Sequence, residues 1–149
     1  MARSYSTSGS DVNTAATTLW GITSAATIRP AIYEIVIGSG ATPADNAWEF
    51  IIGRYTAAGT STAFTPIALD PADPASLASS GWNHSVEPTY TANAYVLRIA
   101  GNMRAAVRWL AAPGKELKMP ATAANGLGCL SNAVGGAAVV MSFTVNFEE

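Results

Sequence analysis

Charge is what this sequence has least of. Asp, Glu, Lys and Arg together make up 12% of its 149 residues, against roughly 25% in an average soluble domain. A surface this neutral is expected to lie partly hidden against copies of the same chain or against another protein. What charge there is leans acidic, with a net −2 and a pI near 5.3. The basic stripe that draws proteins to phosphate backbones is missing, so no nucleic-acid partner is expected.

Cysteine and histidine occur once each, as Cys129 and His84. One cysteine cannot form an intramolecular disulfide, so the chain does not read as a small stapled secreted domain, and synthesis in a reducing cytoplasm is expected. Long apolar runs are absent too, none nearing the ~18 residues of a membrane span. The opening Met1-Ala2-Arg3-Ser4-Tyr5-Ser6 is polar, so neither a leader nor a membrane anchor is expected. Without a leader, the glycosylation-like Asn83-His84-Ser85 reads as chance.

These shortages bear on catalysis. One His, one Cys and ten thinly spread carboxylates make a poor inventory for proton exchange, and no enzyme, no catalytic residue and no cofactor is expected. His84 has no second histidine with which to hold a metal and reads as a packed or hydrogen-bonded side chain. Cys129 reads as a small buried hydrophobe. Gly38-Ser39-Gly40 lacks the Lys-Ser or Lys-Thr ending of a phosphate loop and reads as a turn. Asp45, Asp70 and Asp73 lie in turn sequences where Asp caps the backbone, so no metal site is assigned to them.

Apolar residues, by contrast, are plentiful, at 49% with a mean hydropathy of +0.22, enough for one continuous core. Their spacing has period two. Val139, Met141, Phe143, Val145 and Phe147 alternate with Val140, Ser142, Thr144, Asn146 and Glu148, which marks a strand with one buried face. Tyr33, Ile35 and Ile37 form a second such run and Trp48, Phe50 and Ile52 a third, joined through Ala58-Gly59-Thr60-Ser61 to a fourth near Thr62 to Leu69 as an expected hairpin. Tyr95, Leu97 and Ile99, then Met103, Ala105, Val107 and Trp109, split by Gly101-Asn102, read as another hairpin. Shorter candidates lie near Thr17 to Ile22, His84 to Glu87, Glu116 to Met119 and Leu127 to Ser131. Pro74 to Ser79 is the one stretch with room for a helical turn.

About eight to ten strands with Gly- and Pro-rich turns predict an all-β chain, a single jelly-roll-like sandwich, with an immunoglobulin-like sandwich as the alternative. The long last strand suits the interior of a sheet, near the first. Residues 1–12, rich in Ser and Thr, read as a flexible N-terminal arm, and 13–149 as the single β-sandwich domain. In the expected second hairpin Arg98, Arg104 and Arg108 point outward as one basic patch for a partner's carboxylates, or as a plain solvated face. Trp82, in the loop-like Ser-Gly-Trp-Asn-His, is the tryptophan assigned to an interface.

Several stretches carry a resemblance: Arg29-Pro30-Ala31-Ile32-Tyr33-Glu34-Ile35, Ala41-Thr42-Pro43-Ala44-Asp45-Asn46, Tyr55-Thr56-Ala57-Ala58-Gly59-Thr60-Ser61-Thr62, Leu69-Asp70-Pro71-Ala72-Asp73-Pro74, Asn83-His84-Ser85-Val86-Glu87-Pro88 and Arg108-Trp109-Leu110-Ala111-Ala112-Pro113-Gly114. The chain resembles small virion structural proteins of tailed phages, of the capsid decoration (cement) type. The resemblance implies a jelly-roll-like module, trimeric, made in the host cytoplasm and carried on the virion, whose partner is the major capsid protein or another virion protein. It supplies no active site. A carbohydrate- or receptor-binding module of a tail or fibre is the alternative, and a hydrolase would need carboxylates gathered in a pocket.

Overall fold

The alternation along the last strand sets the middle of the first sheet. In the computed structural model, which describes residues 2–149, β12 (Val140–Glu148) buries Met141, Phe143, Val145 and Phe147 and turns the residues between them outward. On one side it pairs antiparallel with β1 (Ser4–Val12), and on the other with β3 (Ala31–Ser39). Two short strands, β9 (Val107–Leu110) and β10 (Leu117–Lys118), lie along the outer edge of β3, and β6 (Ile67–Ala68) closes the edge beyond β1.

The second sheet runs in the order β5 (Thr60–Phe64), β7 (Ser79–Val86), β2 (Thr18–Thr23), β11 (Gly126–Val134), β4 (Ala47–Ala57) and β8 (Thr89–Asn102). Both sheets are antiparallel, and the described residues hold twelve strands and no helix. Trp20, Ile22, Trp48, Phe50, Ile52, Leu127 and Cys129 of the second sheet form one buried cluster with Tyr5, Ile32, Ile35, Ile37 and the inner row of β12. The sheets therefore pack as a β-sandwich, the all-β architecture that the period-two runs predict. Trp82 of β7 meets Phe143 of β12 across the gap, with ring centroids 6.1 Å apart. Beside them a buried hydrogen bond of 2.7 Å joins the hydroxyls of Thr7 and Ser80.

Several expectations need correction. Residues 4–12 are not an arm. They form β1, paired with β12 at every position from Ser4 opposite Glu148 to Val12 opposite Val140. The segment looks unstructured in sequence because its inward positions are Tyr5, Thr7, Gly9 and Asp11. The space at Gly9 is taken by the rings of Phe143 and Trp82, which a Cβ there would meet at 2.9 and 3.1 Å. The strand count is twelve, not eight to ten, because residues 4–12 add β1 and the run from Thr62 to Leu69 divides into β5 and β6.

Neither expected hairpin forms. The turn at Ala58-Gly59 carries the chain to β5, which pairs with β7, while β4 lies between β11 and β8. The run through Gly101-Asn102 stays in β8, after which Met103, fully buried, takes the chain across to β9 in the other sheet. In β3 the pairing slips where Asn146 faces Glu34 but Phe147 faces Ile32, a bulge that turns Ile32 inward and leaves Tyr33 only partly buried. Pro74 to Ala78 is an irregular loop that bends at Leu77 and Ala78 and enters β7 at Ser79, with no helical turn.

One outward position carries a pH dependence. Glu34 accepts hydrogen bonds from Asn146 Nδ2 at 2.8 Å and from Arg108. First the amide of Asn146, then the guanidinium, holds its carboxyl below the ordinary 4.5. A carboxyl that is more acidic folded than unfolded contributes stability above its ordinary value and loses it as pH falls through the folded value. Asn146→Ala is expected to narrow the gap between urea midpoints at about pH 7 and about pH 3. An unchanged gap would show that Glu34 titrates alike in both states.

Candidate functional site

The structure separates the three arginines. Arg98 lies on β8 in the second sheet and reaches Glu49 of β4 at 2.8 Å. Arg108 lies on β9 in the first sheet and pairs with Glu34 of β3. Arg104 stands exposed in the crossover, where its N–H donates to Asn102 Oδ1 at 2.9 Å. All three point outward as expected, but without the hairpin they make no single patch, and two of them are already paired with carboxylates of this chain. Trp82 is in a strand rather than a loop. It is half-buried, packed on Phe143 and on Phe64 with a centroid distance of 5.4 Å, so its ring supports the sandwich.

The outer face of the second sheet is roofed by its own tyrosines. Gly21, Gly53, Gly126 and Gly128 leave a shallow trench on β2, β4 and β11, and the rings of Tyr55 and Tyr90 lie in it edge to face, with centroids 6.1 Å apart. Tyr55 shares a 2.7 Å hydrogen bond with Thr23 Oγ1, and Tyr90 one of 2.9 Å with Thr18 Oγ1. Burial pushes both hydroxyls above the usual 10, so both stay protonated. His84 sits at the end of this roof, its Nδ1 3.2 Å from the Thr18 carbonyl, and burial lowers its pKa below 6.5. It is therefore a neutral, hydrogen-bonded side chain at neutral pH. Cys129 is fully buried between the sheets, and burial raises its thiol well above its usual value. It is inert as a nucleophile.

The aspartates of the turns hold backbone and side-chain donors. Asp70 Oδ1 accepts from the N–H of Ala72 at 2.9 Å, and Asp45 Oδ1 from Asn102 Nδ2 at 2.6 Å. No group of three or more His, Cys, Asp or Glu side chains gathers among the described residues.

What the fold does gather is a cleft at one end of the sandwich, and it escapes a reading of the sequence. Along β4 the inward positions are Trp48, Phe50, Ile52 and then Arg54, which stands opposite Leu127 of the core. Where the next apolar side chain would close the core, Arg54 instead reaches across to the other sheet, and its Nη1 donates to the Lys118 carbonyl at 2.9 Å. Lys118 on β10 lies beside Ala31 at the start of β3, and Arg29 lies two residues before that strand. The cleft, about 330 Å³, is walled by these three cations with Tyr55, Thr56, Thr91, Met119, Pro120, Asn125 and Gly126. Its residues come from five separate stretches of chain, so no local motif announces it. Compared with protein-family models, with curated proteins and with solved structures, the chain matches none of them.

Proposed function

We propose that this protein is a non-enzymatic virion structural protein that coats or cements a capsid lattice through protein–protein contacts, as a homo-oligomer of which a trimer is the simplest form. The observation that carries this reading is the outer face of the first sheet. There β1 turns out Ser4, Ser6, Ser8, Ser10 and Val12, each opposite an outward residue of β12: Glu148, Asn146, Thr144, Ser142 and Val140. Nine of these ten side chains are uncharged, and Ile67 and Leu69 continue the face, 63% and 54% exposed. A flat face of small side chains gives up little hydration when a complementary surface is laid on it, which suits a lattice contact better than it suits free solution.

The strand order supports the same reading. Within the two sheets, β1-β12-β3-β9 and β2-β11-β4-β8 follow the order of an eight-stranded jelly roll, with β5 to β7 inserted along one edge and β10 along the other. Jelly rolls recur in viral capsid and lectin domains, although a fold alone does not specify a function. In this proposal the partner is the major capsid protein or another virion protein.

The test is whether the protein co-purifies with virions at lattice stoichiometry, and whether charge on the first sheet removes it. Ser8→Lys with Ser10→Lys places two cations on exposed positions, so the melting temperature is expected to hold while binding to particles and self-association, followed by sedimentation, fall. Absence from purified virions would overturn the lattice role. Unchanged attachment of the variant would overturn this face as the contact.

A second reading, a carbohydrate- or receptor-binding module of a tail or fibre, is favoured by the cleft at Arg54. The cleft is concave and mixes cations, hydroxyls and apolar surface, as ligand sites do.

A further inference from the structure

The chain has eight Lys and Arg residues in all, and three of them line one cleft whose wall contains no carboxylate. Arg29 and Arg54 make no ion pair among the described residues, and Lys118 meets only Glu116, at 3.7 Å and near the surface. Of the five cations elsewhere, three are matched, Arg3 with Asp73, Arg98 with Glu49 and Arg108 with Glu34, while Arg104 and Lys115 stand apart on the surface without an ion pair among the described residues. Three like charges lining one cleft, with Glu116 at its margin as their one carboxylate neighbour among the ion pairs, repel one another, and an anion seated among them offsets that repulsion with an attraction to each.

The surroundings narrow the kind of anion. Glu116, Glu148 and Glu149 line the adjoining hollow on the far side of Arg29 and Lys118. A polyanion continuing in that direction would run onto these carboxylates, so the cleft suits a ligand with a single charge. The remaining wall is neutral and polar: Thr56 and Thr91 bring hydroxyls and Asn125 a carboxamide, while Pro120 and Met119 present apolar surface. At about 330 Å³ the cleft is far roomier than a bare oxyanion needs, and it falls at the small end of ligand pockets.

We propose that this cleft binds a sugar acid, a saccharide unit carrying one carboxylate. The forked guanidinium of Arg54, whose Nη1 is committed to the Lys118 carbonyl, offers its remaining N–H groups to the carboxylate together with Arg29. Lys118 adds a point charge. The ring hydroxyls meet Thr56, Thr91 and Asn125, and a C–H face of the ring lies on Pro120. This inference rests on the second reading of the protein's function and does not require the lattice role, so either can fail alone.

The experiment is a calorimetric titration of the intact protein with glucuronate, compared with glucose, acetate, inorganic phosphate and an oligoglutamate peptide. Glucuronate is expected to bind at least about tenfold more tightly than the other four, and to weaken as salt is raised. Arg54→Gln also removes a tie between the sheets, so Arg29→Gln, at an exposed position without an ion pair, is the variant that keeps the fold. It is expected to lower glucuronate affinity about tenfold at an unchanged melting temperature. Equal binding of phosphate or acetate would reduce the cleft to a general anion site, and equal binding of glucose would remove the cations from recognition. Tighter binding of the peptide would make it a protein-docking site, and no binding of glucuronate would end the proposal. Each of these four results overturns it.

Discussion

Phe143→Ala is expected to lower the free energy of unfolding by about 3 to 5 kcal/mol, the range for truncating a large aromatic in a packed core. Phe143 sits midway along β12, which pairs with a strand on each side, and is 3% exposed. Its ring packs against Trp82 from the other sheet and fills the space over Gly9. The cavity would open where the two sheets and β1 meet. β1 has few inward side chains of its own with which to close it, so relaxation should be poor. The neighbouring Thr144 points to the outer face, and Thr144→Ala is expected to change stability by about 0.5 kcal/mol or less. Urea unfolding followed by tryptophan fluorescence measures both. Equal losses at the two positions would mean that the strand faces the other way.

The second large effect is expected at Gly126. A Cβ there would lie 2.1 Å from the Ile22 carbonyl oxygen and 2.4 Å from the ring and hydroxyl of Tyr55. The carbonyl belongs to the neighbouring strand β2, so the backbone itself must move, and the Tyr55 ring must leave the trench that keeps it 2% exposed. Overpacking of this kind costs about 1 to 3 kcal/mol or more. Loss of the Tyr55 to Thr23 hydrogen bond adds to it. Gly40 is the control, because there the nearest atom is the exposed Ser142 hydroxyl, which can turn away. Gly126→Ala is expected to lower the urea midpoint and to change the near-ultraviolet tyrosine signal, whereas Gly40→Ala leaves both almost as they were. If the two variants unfold alike, Tyr55 is not held by the bare backbone beneath it.

The two effects mark different degrees of legibility. The inner row of β12 is visible in the sequence because an apolar residue at every second position is almost impossible to bury in any other way. The same holds for Trp48, Phe50 and Ile52, for the burial of Cys129 and for the central place of the last strand. The tyrosine roof is not visible. Tyr55 follows Arg54, and only the pairing of Gly126 opposite Tyr55, with Gly53 flanked by Gly128, creates room for aromatic rings on an outer face.

The partnership of strands was the larger gap. Runs of period two tell which side chains face inward but carry no information on the neighbouring strand, since either a hairpin or a change of sheet puts the same residues in the core. Met103 decides between them for β8 and β9, because its burial pulls the chain through the gap instead of around a turn. That choice also dissolved the arginine patch, whose members had the right orientation but the wrong sheets. The bulge in β3 acted on a smaller scale, shifting the phase by one residue and moving Tyr33 off the inner face.

Composition and periodicity by themselves determined that the chain is all-β, that its core lies between alternating faces, and that its surface is poor in charge. These follow from local properties, the side-chain period of a strand and the scarcity of ionisable residues, which no partner strand can alter. Only the tertiary structure decided that residues 4–12 are a strand inside a sheet, and only it brought Arg29, Arg54 and Lys118 to one cleft. Both depend on contacts between residues far apart in the chain. The side chains that fill the space at Gly9, and the opposite sheet that Arg54 reaches, are set by the pairing of whole strands rather than by any short stretch of sequence.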